Sequence, residues 1–197
     1  KLRPGVRFHN GKPLSSADVK YTFDSIRKPE TKSPIRGAVD KITRIDAPDP
    51  LTVTFYASEP FYSFWGNLPA IGIVPDNAGA DNIDAPVGSG PFRFVSYSEG
   101  AMVQLEANPD YWGGAPLIPR LRVKIVTDNS TRQAELMSGD VDLAFNAQFV
   151  PETARGLAGR RNLLVVFGDG ANIGYLGCNT SSVSRLADVK VRQAIAY

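Results

Sequence analysis

The hydrophobic pattern of this chain changes character about halfway along its length. Up to about residue 110, short segments with period-2 alternation are separated by turn residues, which is typical of antiparallel hairpins. Beyond that point, short apolar runs alternate with segments of helical spacing, which is typical of a sheet flanked by helices. The pattern therefore predicts a mixed α/β (α+β) fold with a hairpin-rich part at 1–109 and an alternating part at 110–197.

Helical spacing near the amino terminus predicts an amphipathic helix that begins after Ser15. Val19, Phe23 and Ile26 form one apolar stripe, which is expected to face a core. Ser15 and Asp18 approximate a capping box, with Asp in place of the usual Glu or Gln.

The other predicted elements follow in chain order. In the first half they are two strands joined by a Pro-rich turn over 41–56, one or two helical turns over 59–70 and a hairpin over 90–108. In the second half they are strands over 119–128, 141–145, 162–168 and 172–179, and helices over 129–140, 150–159 and 186–197. Asn129 or Ser130 is expected to cap the helix over 129–140, and Gly139 to end it.

The stretch NPDYWGGAP, residues 108–116, places two aromatic side chains between turn-forming residues. Tyr111 and Trp112 could form an exposed adhesive surface or could fold back onto a distant part of the chain. We favour the second interpretation, in which the pair pins a connector onto the body of the protein.

Composition argues against several function classes. The net charge is +2 with no basic block, so a nucleic-acid partner is not expected. A single Cys and a single His, His9, all but exclude a zinc site built from these residue types, and no metal or other cofactor is expected. Asp140 and Asp142 could face a cation from one strand, but a turn and a strand edge explain them better.

No catalytic motif is apparent, so the chain is not expected to be an enzyme. The segment GSGPF lacks the third glycine of a dinucleotide fingerprint, and neither a phosphate-binding loop nor a nucleophile elbow is present. A Ser–His–Asp triad would have to use His9, which lies beside a turn. A hydrolase acting on peptides or glycans is the third interpretation, after two binding functions described below.

Four aromatic residues within five positions suggest a binding role instead. At helical spacing Phe61, Phe64 and Trp65 share a face, which favours a core position for these three. Tyr62 then points elsewhere, toward a ligand. Core and cleft roles both remain open for the group.

The order of motifs resembles family 5 of the extracytoplasmic solute-binding proteins, the peptide, dipeptide and nickel receptors of ABC importers. The resemblance rests on four segments that occur in family order. They are LRPGVRFHNGKPLSSADVKYTFD (2–24), PVGSGPFRF (86–94), LEANPDYWGGAPLIPRLRVKIVTDNSTRQAELMSGDVDL (105–143) and IGYLGCNTSSVSRLADVKVRQAIAY (173–197).

This resemblance implies a two-lobed clamp of the type II periplasmic-binding-protein kind, of which the chain is part. Residues 1–109 would form most of an extra subdomain, and residues 110–197 would form part of the large lobe up to the interlobe hinge. The distal lobe would lie outside this chain, so the chain alone is expected to bind ligand weakly or not at all.

The resemblance also implies the function and the site. The chain would belong to a monomeric importer subunit that is periplasmic or lipid-anchored on the outer face of the membrane. It would capture a peptide or another small solute and deliver it to ABC permease subunits. The alternative is a ligand-sensing domain fused to a transcription regulator. The candidate ligand-binding residues are Tyr62, Phe64, Trp65, Asn146 and Asn179.

Overall fold

The computed structural model describes residues 1–79, 84–144, 149, 151–166, 177–181 and 184–196. The chain divides into two compact units, Lys1–Asp142 and Leu143–Tyr197, which we describe separately. The five strands and most of the helical residues that the described part contains belong to the first unit.

The first helix, α1 (Ser16–Arg27), forms as its sequence predicts. Its capping box is present: the Asp18 carboxylate accepts from the Ser15 backbone N–H at 2.8 Å and from the Ser15 hydroxyl at 2.9 Å. The apolar stripe of the helix is buried, which confirms the face assigned to it from the sequence. This face provides one side of the core.

Strands β1 (Ile42–Asp49) and β2 (Thr52–Ala57) form an antiparallel pair beneath α1. Ile45 lies opposite Phe55, and the Phe55 ring contacts the Phe23 ring of α1 at a centroid distance of 4.8 Å. Helix and strand pair thus close one apolar cluster. Its buried members are Val19, Phe23, Ile26, Val39, Ile42, Ile45 and Ile71.

A short helix, α2 (Phe64–Asn67), and a following 3₁₀ turn (Leu68–Ala70) lie at the edge of this cluster. The one or two helical turns predicted over 59–70 are therefore confirmed. Two further 3₁₀ turns, Pro29–Thr31 and Arg36–Ala38, connect α1 to β1. Val39 follows the turn Arg36–Ala38, and Ile71 follows the turn Leu68–Ala70. Both residues are buried, so each connection contributes to the core.

A second sheet contains β3 (Phe92–Ser98), β4 (Met102–Ala107) and β5 (Arg120–Lys124) in the antiparallel order β3-β4-β5. The hairpin predicted over 90–108 and the strand predicted near 120 are confirmed. Because β5 pairs with β4, the sheet continues across the division predicted near residue 110. The assignment of 1–109 and 110–197 to separate parts of the family fold stays a prediction.

Helix α3 (Asn129–Ser138) already begins at Asn129, so neither predicted cap, Asn129 or Ser130, precedes it. The cap is Asp128, not Asn129 or Ser130, because the extended Asp128 places its carboxylate 2.7 Å from the Thr131 backbone N–H. The carboxylate also accepts from the Ser130 and Thr131 hydroxyls, and these bonds lower the pKa of Asp128 to about 2. Gly139 ends the helix with a φ of 85°, as predicted.

The second unit contributes α4 (Pro151–Ala158), α5 (Ser184–Ala187) and α6 (Val189–Ala196). The helix predicted over 150–159 is confirmed. The one predicted over 186–197 is divided at Asp188, whose carboxylate accepts from the Lys190 backbone N–H at 2.8 Å and so begins a new helix.

The strands predicted in this part of the chain are wrong where the structure describes them. Residues 141–144, 163–166 and 177–179 are not in strands, since no described strand pairs with them and an apolar run alone does not make a ladder. Residue 162 is in a turn. The other residues of these predicted strands lie outside the described residues; they are 145, 167–168 and 172–176.

The aromatic pair at residues 111–112 is only partly the buried plug that the sequence favours. The Tyr111 and Trp112 rings contact each other at 5.0 Å, and the Arg3 guanidinium lies 4.3 Å from the Trp112 ring centroid. These contacts do join the connector to the amino-terminal segment. However, Trp112 stays 49% exposed, because a cation and one neighbouring ring cover only part of so large a side chain.

Candidate functional site

Helix α2 is held in place by contacts on its inner side. The Phe64 ring lies 5.1 Å from the Phe55 ring and 6.3 Å from the Phe23 ring, measured between centroids. The Asn67 side-chain amide donates to the Ala38 carbonyl at 3.2 Å. A helix of four residues is thereby anchored to the core, and the residues around it have defined positions.

Two of the three aromatic candidates are exposed to solvent, Trp65 on this anchored helix and Tyr62 in the turn that precedes it. Tyr62 is 88% exposed and Trp65 is 74% exposed, while Phe64 is half-buried. The expectation that Trp65 shares a core face with Phe64 is wrong, because this single helical turn directs only Phe64 toward the rings of Phe23 and Phe55. Tyr62 points away from the core, as predicted.

A shallow groove of about 380 Å³ opens beside α2. Its walls come from the outer part of the strand pair and from the aromatic segment, and most of them are apolar. The lining residues are Ile42, Val53, Thr54, Phe55, Ala57, Glu59, Pro60, Phe61, Phe64 and Trp65. The groove therefore has the chemical character of a pocket for an apolar group.

The one charged side chain lining this groove is neutralised by a neighbour. Glu59 Oε1 lies 2.8 Å from Lys41 Nζ. This hydrogen bond, together with the attraction between the charges, lowers the pKa of Glu59 and raises that of Lys41. At neutral pH the groove thus offers an apolar wall with an ion pair beside it.

The two asparagine candidates, Asn146 and Asn179, both fall in the second unit, Leu143–Tyr197. Asn146 lies outside the described residues. Asn179 is exposed in the second unit, where its side-chain oxygen accepts from the Ser181 backbone N–H at 3.1 Å and from the Ser181 hydroxyl at 3.0 Å. These bonds form an Asx turn, so Asn179 also has a local structural role.

Within the described part of the chain, no group of three or more His, Cys, Asp or Glu side chains could hold a metal ion. Asp140 accepts from the Ser138 hydroxyl at 2.6 Å, and its backbone N–H donates to the Glu135 carbonyl. These bonds belong to the turn after α3, in agreement with the turn role favoured for Asp140.

Sequence reasoning missed an ionic cluster around one buried carboxylate near the amino terminus. The fully buried Asp18 carboxylate accepts from Lys12 Nζ at 2.6 Å and from the Asp76 backbone N–H at 2.9 Å, and Lys12 also pairs with the Asp76 carboxylate. Burial by itself raises the pKa of Asp18, but its hydrogen bonds to Lys12, Asp76 and Ser15 outweigh burial and lower it. The capping-box pattern marked Asp18, but nothing in the sequence pairs it with residues 12 and 76.

Comparison with known proteins identifies relatives for the entire chain. Residues 1–197 match the family model described as bacterial extracellular solute-binding proteins, family 5 Middle. The glutathione-binding protein GsiB of Pectobacterium atrosepticum is 32% identical over 204 residues, which cover 100% of this chain and 39% of the relative. The oligopeptide-binding protein AppA of Bacillus subtilis is 29% identical over 208 residues, covering 99% and 37%.

Solved structures agree with these relatives. NikZ from Campylobacter jejuni, in complex with Ni(L-His), matches with a TM-score of 0.66 and 28% identity over 71% of this chain and 30% of that one. Bacillus subtilis AppA in complex with a nonapeptide matches with a TM-score of 0.65 and 27% identity over 72% and 30%. The expected mixed α/β, type II periplasmic-binding-protein architecture, present in part, is confirmed.

The chain thus spans less than two fifths of the length of these curated relatives. The comparisons give no support to the alternative of a domain fused to a transcription regulator. None of the helices in the described part is long and apolar enough to cross a membrane.

Proposed function

The chain belongs to the bacterial extracellular solute-binding proteins of family 5, and we propose that it is part of the ligand-capturing subunit of an ABC importer. The family is a non-enzymatic, extracytoplasmic component of transport. In this proposal the ligand is a peptide or a similar small solute, and the partners are ABC permease subunits. The whole protein is a monomer that is periplasmic or lipid-anchored outside the membrane.

The observation that carries this proposal is the exposure of two neighbouring aromatic side chains, Trp65 on the anchored helix α2 and Tyr62 in the turn just before it. Leaving Tyr62 and Trp65 in water forgoes the stabilisation that burial of so much apolar surface would provide. Each ring combines an apolar body with a polar end, which suits a ligand that has both peptide groups and side chains. Because Phe64 anchors the helix, the rings need little reorganisation to meet a ligand.

The groove beside α2 supplies the complementary part of this surface. Its apolar wall would receive an apolar ligand side chain, while Trp65, which lines it, would cover the occupant. In this proposal Tyr62, Phe64 and Trp65 select for apolar ligand groups. Asn146 and Asn179, which fall in the second unit, are proposed separately as side chains that would bind polar ligand groups.

The two tryptophans of the chain provide a direct test. In the ¹⁵N-labelled 197-residue chain, the Trp65 and Trp112 indole N–H signals are assigned with the Trp112→Phe variant. Ala-Ala, Ala-Phe, a pentapeptide and glutathione are then titrated into the millimolar range, since weak binding is expected. We expect Ala-Phe and the pentapeptide to move the Trp65 signal in a saturable way and to leave the Trp112 signal in place.

Tyr62→Ala is the matched functional variant, because Tyr62 is exposed and its loss leaves the core intact. It should weaken the binding seen at Trp65 at least about fivefold, the effect of roughly 1 kcal/mol of lost aromatic contact. A Trp65 signal that moves only together with Trp112, or binding at Trp65 that Tyr62→Ala leaves unchanged, would contradict the proposed site. Uptake of a labelled peptide that persists after deletion of the gene would contradict the importer role independently.

A further inference from the structure

The single histidine of the chain joins two segments that are far apart in sequence. His9 Nδ1 lies 3.2 Å from the backbone nitrogen of Gly88, and Nε2 lies 3.1 Å from the Gly90 carbonyl oxygen. The His9 backbone N–H donates to the Gly88 carbonyl at 2.8 Å. Both ring nitrogens and the backbone of one residue thus hold the segment that precedes β3.

The chemistry of the two backbone partners determines which ring nitrogen carries the proton. A backbone N–H can only donate, so Nδ1 of His9 must be the unprotonated acceptor for Gly88. A carbonyl oxygen can only accept, so Nε2 must carry the hydrogen that faces Gly90. The arrangement therefore requires a neutral imidazole in its Nε2–H form.

Protonation changes only one of these two bonds. A hydrogen on Nδ1 would face the Gly88 N–H, so an acceptor is replaced by a second donor and the bond is lost. The bond from Nε2 to Gly90 persists, and Asn108 supports the same carbonyl through its side-chain amide at 3.1 Å. Release is thus expected first at Gly88.

Residues 74–76, which precede residues 88–90 in the chain, have a second attachment. It depends on the charge of Asp18 and not on that of His9. The Asp76 N–H donates to the Asp18 carboxylate at 2.9 Å, and the Val74 N–H donates to the Thr22 hydroxyl at 3.1 Å. The hydrogen bonds to Asp18 lower its pKa despite its burial, so this carboxylate stays charged well below neutral pH. The bond at Asp76 therefore survives conditions that protonate an imidazole.

The electrostatic surroundings of His9 do not add a competing ion pair. Among the described residues no carboxylate forms a salt bridge with His9, and Lys12 and Arg93 have carboxylate partners of their own. The ionisable groups of the surrounding segments are Arg7, Lys12, Asp84, Arg93, Glu106 and Asp110.

We propose that His9 is a pH-sensitive clamp that holds residues 88–90 to the amino-terminal segment when neutral and releases Gly88 when protonated. Among side chains, histidine is the one whose ordinary pKa places its change of charge between about pH 5 and 8. Mild acid would loosen the approach to β3 at one end, while the attachment at Asp76 stays closed. The clamp needs no ligand, so its test is independent of the proposed binding function.

Hydrogen exchange of the 197-residue chain measures both attachments in one sample. Long-range ¹H–¹⁵N correlations of the only imidazole should show the Nε2–H form at pH 7.5. The protection factor of the Gly88 amide, corrected for intrinsic exchange, should then fall about tenfold at pH 5, as expected for loss of one hydrogen bond. The protection factor of the Asp76 amide should change by less than about twofold, since its bond to a charged acceptor is kept.

His9→Asn is the control variant, because an amide oxygen can replace Nδ1 as acceptor and does not titrate in this range. In this variant the protection of Gly88 should be the same at both pH values. An Nδ1–H imidazole at pH 7.5, or a Gly88 protection factor that stays constant while the imidazole becomes charged, would overturn the proposal. Both of these measurements use the unmodified chain, so the outcome is decided even if the variant fails to fold.

Discussion

The two antiparallel sheets of the first unit differ sharply in burial. The β1–β2 pair is covered by α1, and the buried apolar cluster that they share includes Phe23, which is 1% exposed. The β3-β4-β5 sheet has no buried position in its strands, and every residue of β5 is exposed. Strand formation and core formation are therefore separate outcomes in this molecule.

The second sheet is as clearly two-sided as the first. Across its three strands, one row of opposed residues is apolar: Phe94, Leu105 and Leu121. The adjacent row is charged: Arg93, Glu106 and Arg120. An alternating pattern thus sets the register and separates an apolar face from a charged one. Burial additionally requires an element to cover the apolar face, as α1 covers β1 and β2.

The largest expected effect breaks the covered sheet. Phe23→Ala should lower the free energy of unfolding by about 4 kcal/mol, because it leaves a cavity among packed rings. The substitution removes a ring that packs against both Phe55 and Phe64. Urea denaturation followed by circular dichroism measures the change.

Val123→Ala is the matched substitution in the uncovered sheet. Val123 is 45% exposed on β5, so its truncation should cost about 0.5 kcal/mol. Equal losses from Phe23→Ala and Val123→Ala would show that the contrast between the two sheets does not hold in solution.

The next largest effect on stability concerns the ionic cluster around Asp18 of α1. Asp18→Asn should destabilise the chain by about 2 kcal/mol, since it removes the charge of a fully buried acceptor that Lys12 and the Ser15 and Asp76 N–H groups share. Asp24→Asn is the control, because Asp24 pairs with Lys20 at the surface of the same helix, at 2.5 Å, and its loss should cost about 0.5 kcal/mol or less. A loss from Asp18→Asn no larger than that from Asp24→Asn would contradict the structural role of the cluster.

The same cluster predicts how stability depends on pH. The pKa of Asp18 is lowered on folding, so its contribution is complete above its unfolded-state value of about 3.9 and is lost as the pH falls through the folded value. Burial opposes the charge of Lys12, but its bonds to Asp18 and Asp76 raise its pKa, so its contribution is lost as the pH rises above about 10.4. Denaturation midpoints at pH 2–5 should fall less steeply for Asp18→Asn than for the unmodified chain.

The next effect on stability tests the segment 108–116, which connects β4 to β5 and contacts Arg3 of the amino-terminal segment. If Trp112 were fully buried, Trp112→Ala would lower the free energy of unfolding by about 3 kcal/mol or more. Because the side chain is half-exposed, we expect a loss of about 1 kcal/mol. A double-mutant cycle with Arg3→Ala should give a coupling energy of about 0.5 kcal/mol. A destabilisation of about 3 kcal/mol, or no coupling with Arg3, would disagree with this geometry.

Much of the first unit could be predicted from local sequence. The capping box, the stripe on α1 and the hairpin turns are set by neighbouring residues, and each forms as predicted. The strands predicted in the second unit failed where they are described, because an apolar run of a few residues does not specify a pairing partner. The outward position of Tyr62 was predicted, but the exposure of Trp65 depends on how much of a four-residue helix packs against the core.

The sequence by itself determined the helices and antiparallel strands of the first unit, and the family. Those properties depend on residue identity and on spacing along the chain. The tertiary structure alone decided which apolar faces are covered, and that Asp18 meets Lys12 and Asp76 and His9 meets Gly88 and Gly90. These contacts join residues up to 81 positions apart, and whether such groups meet depends on the packing of all the elements between them, not on any local pattern.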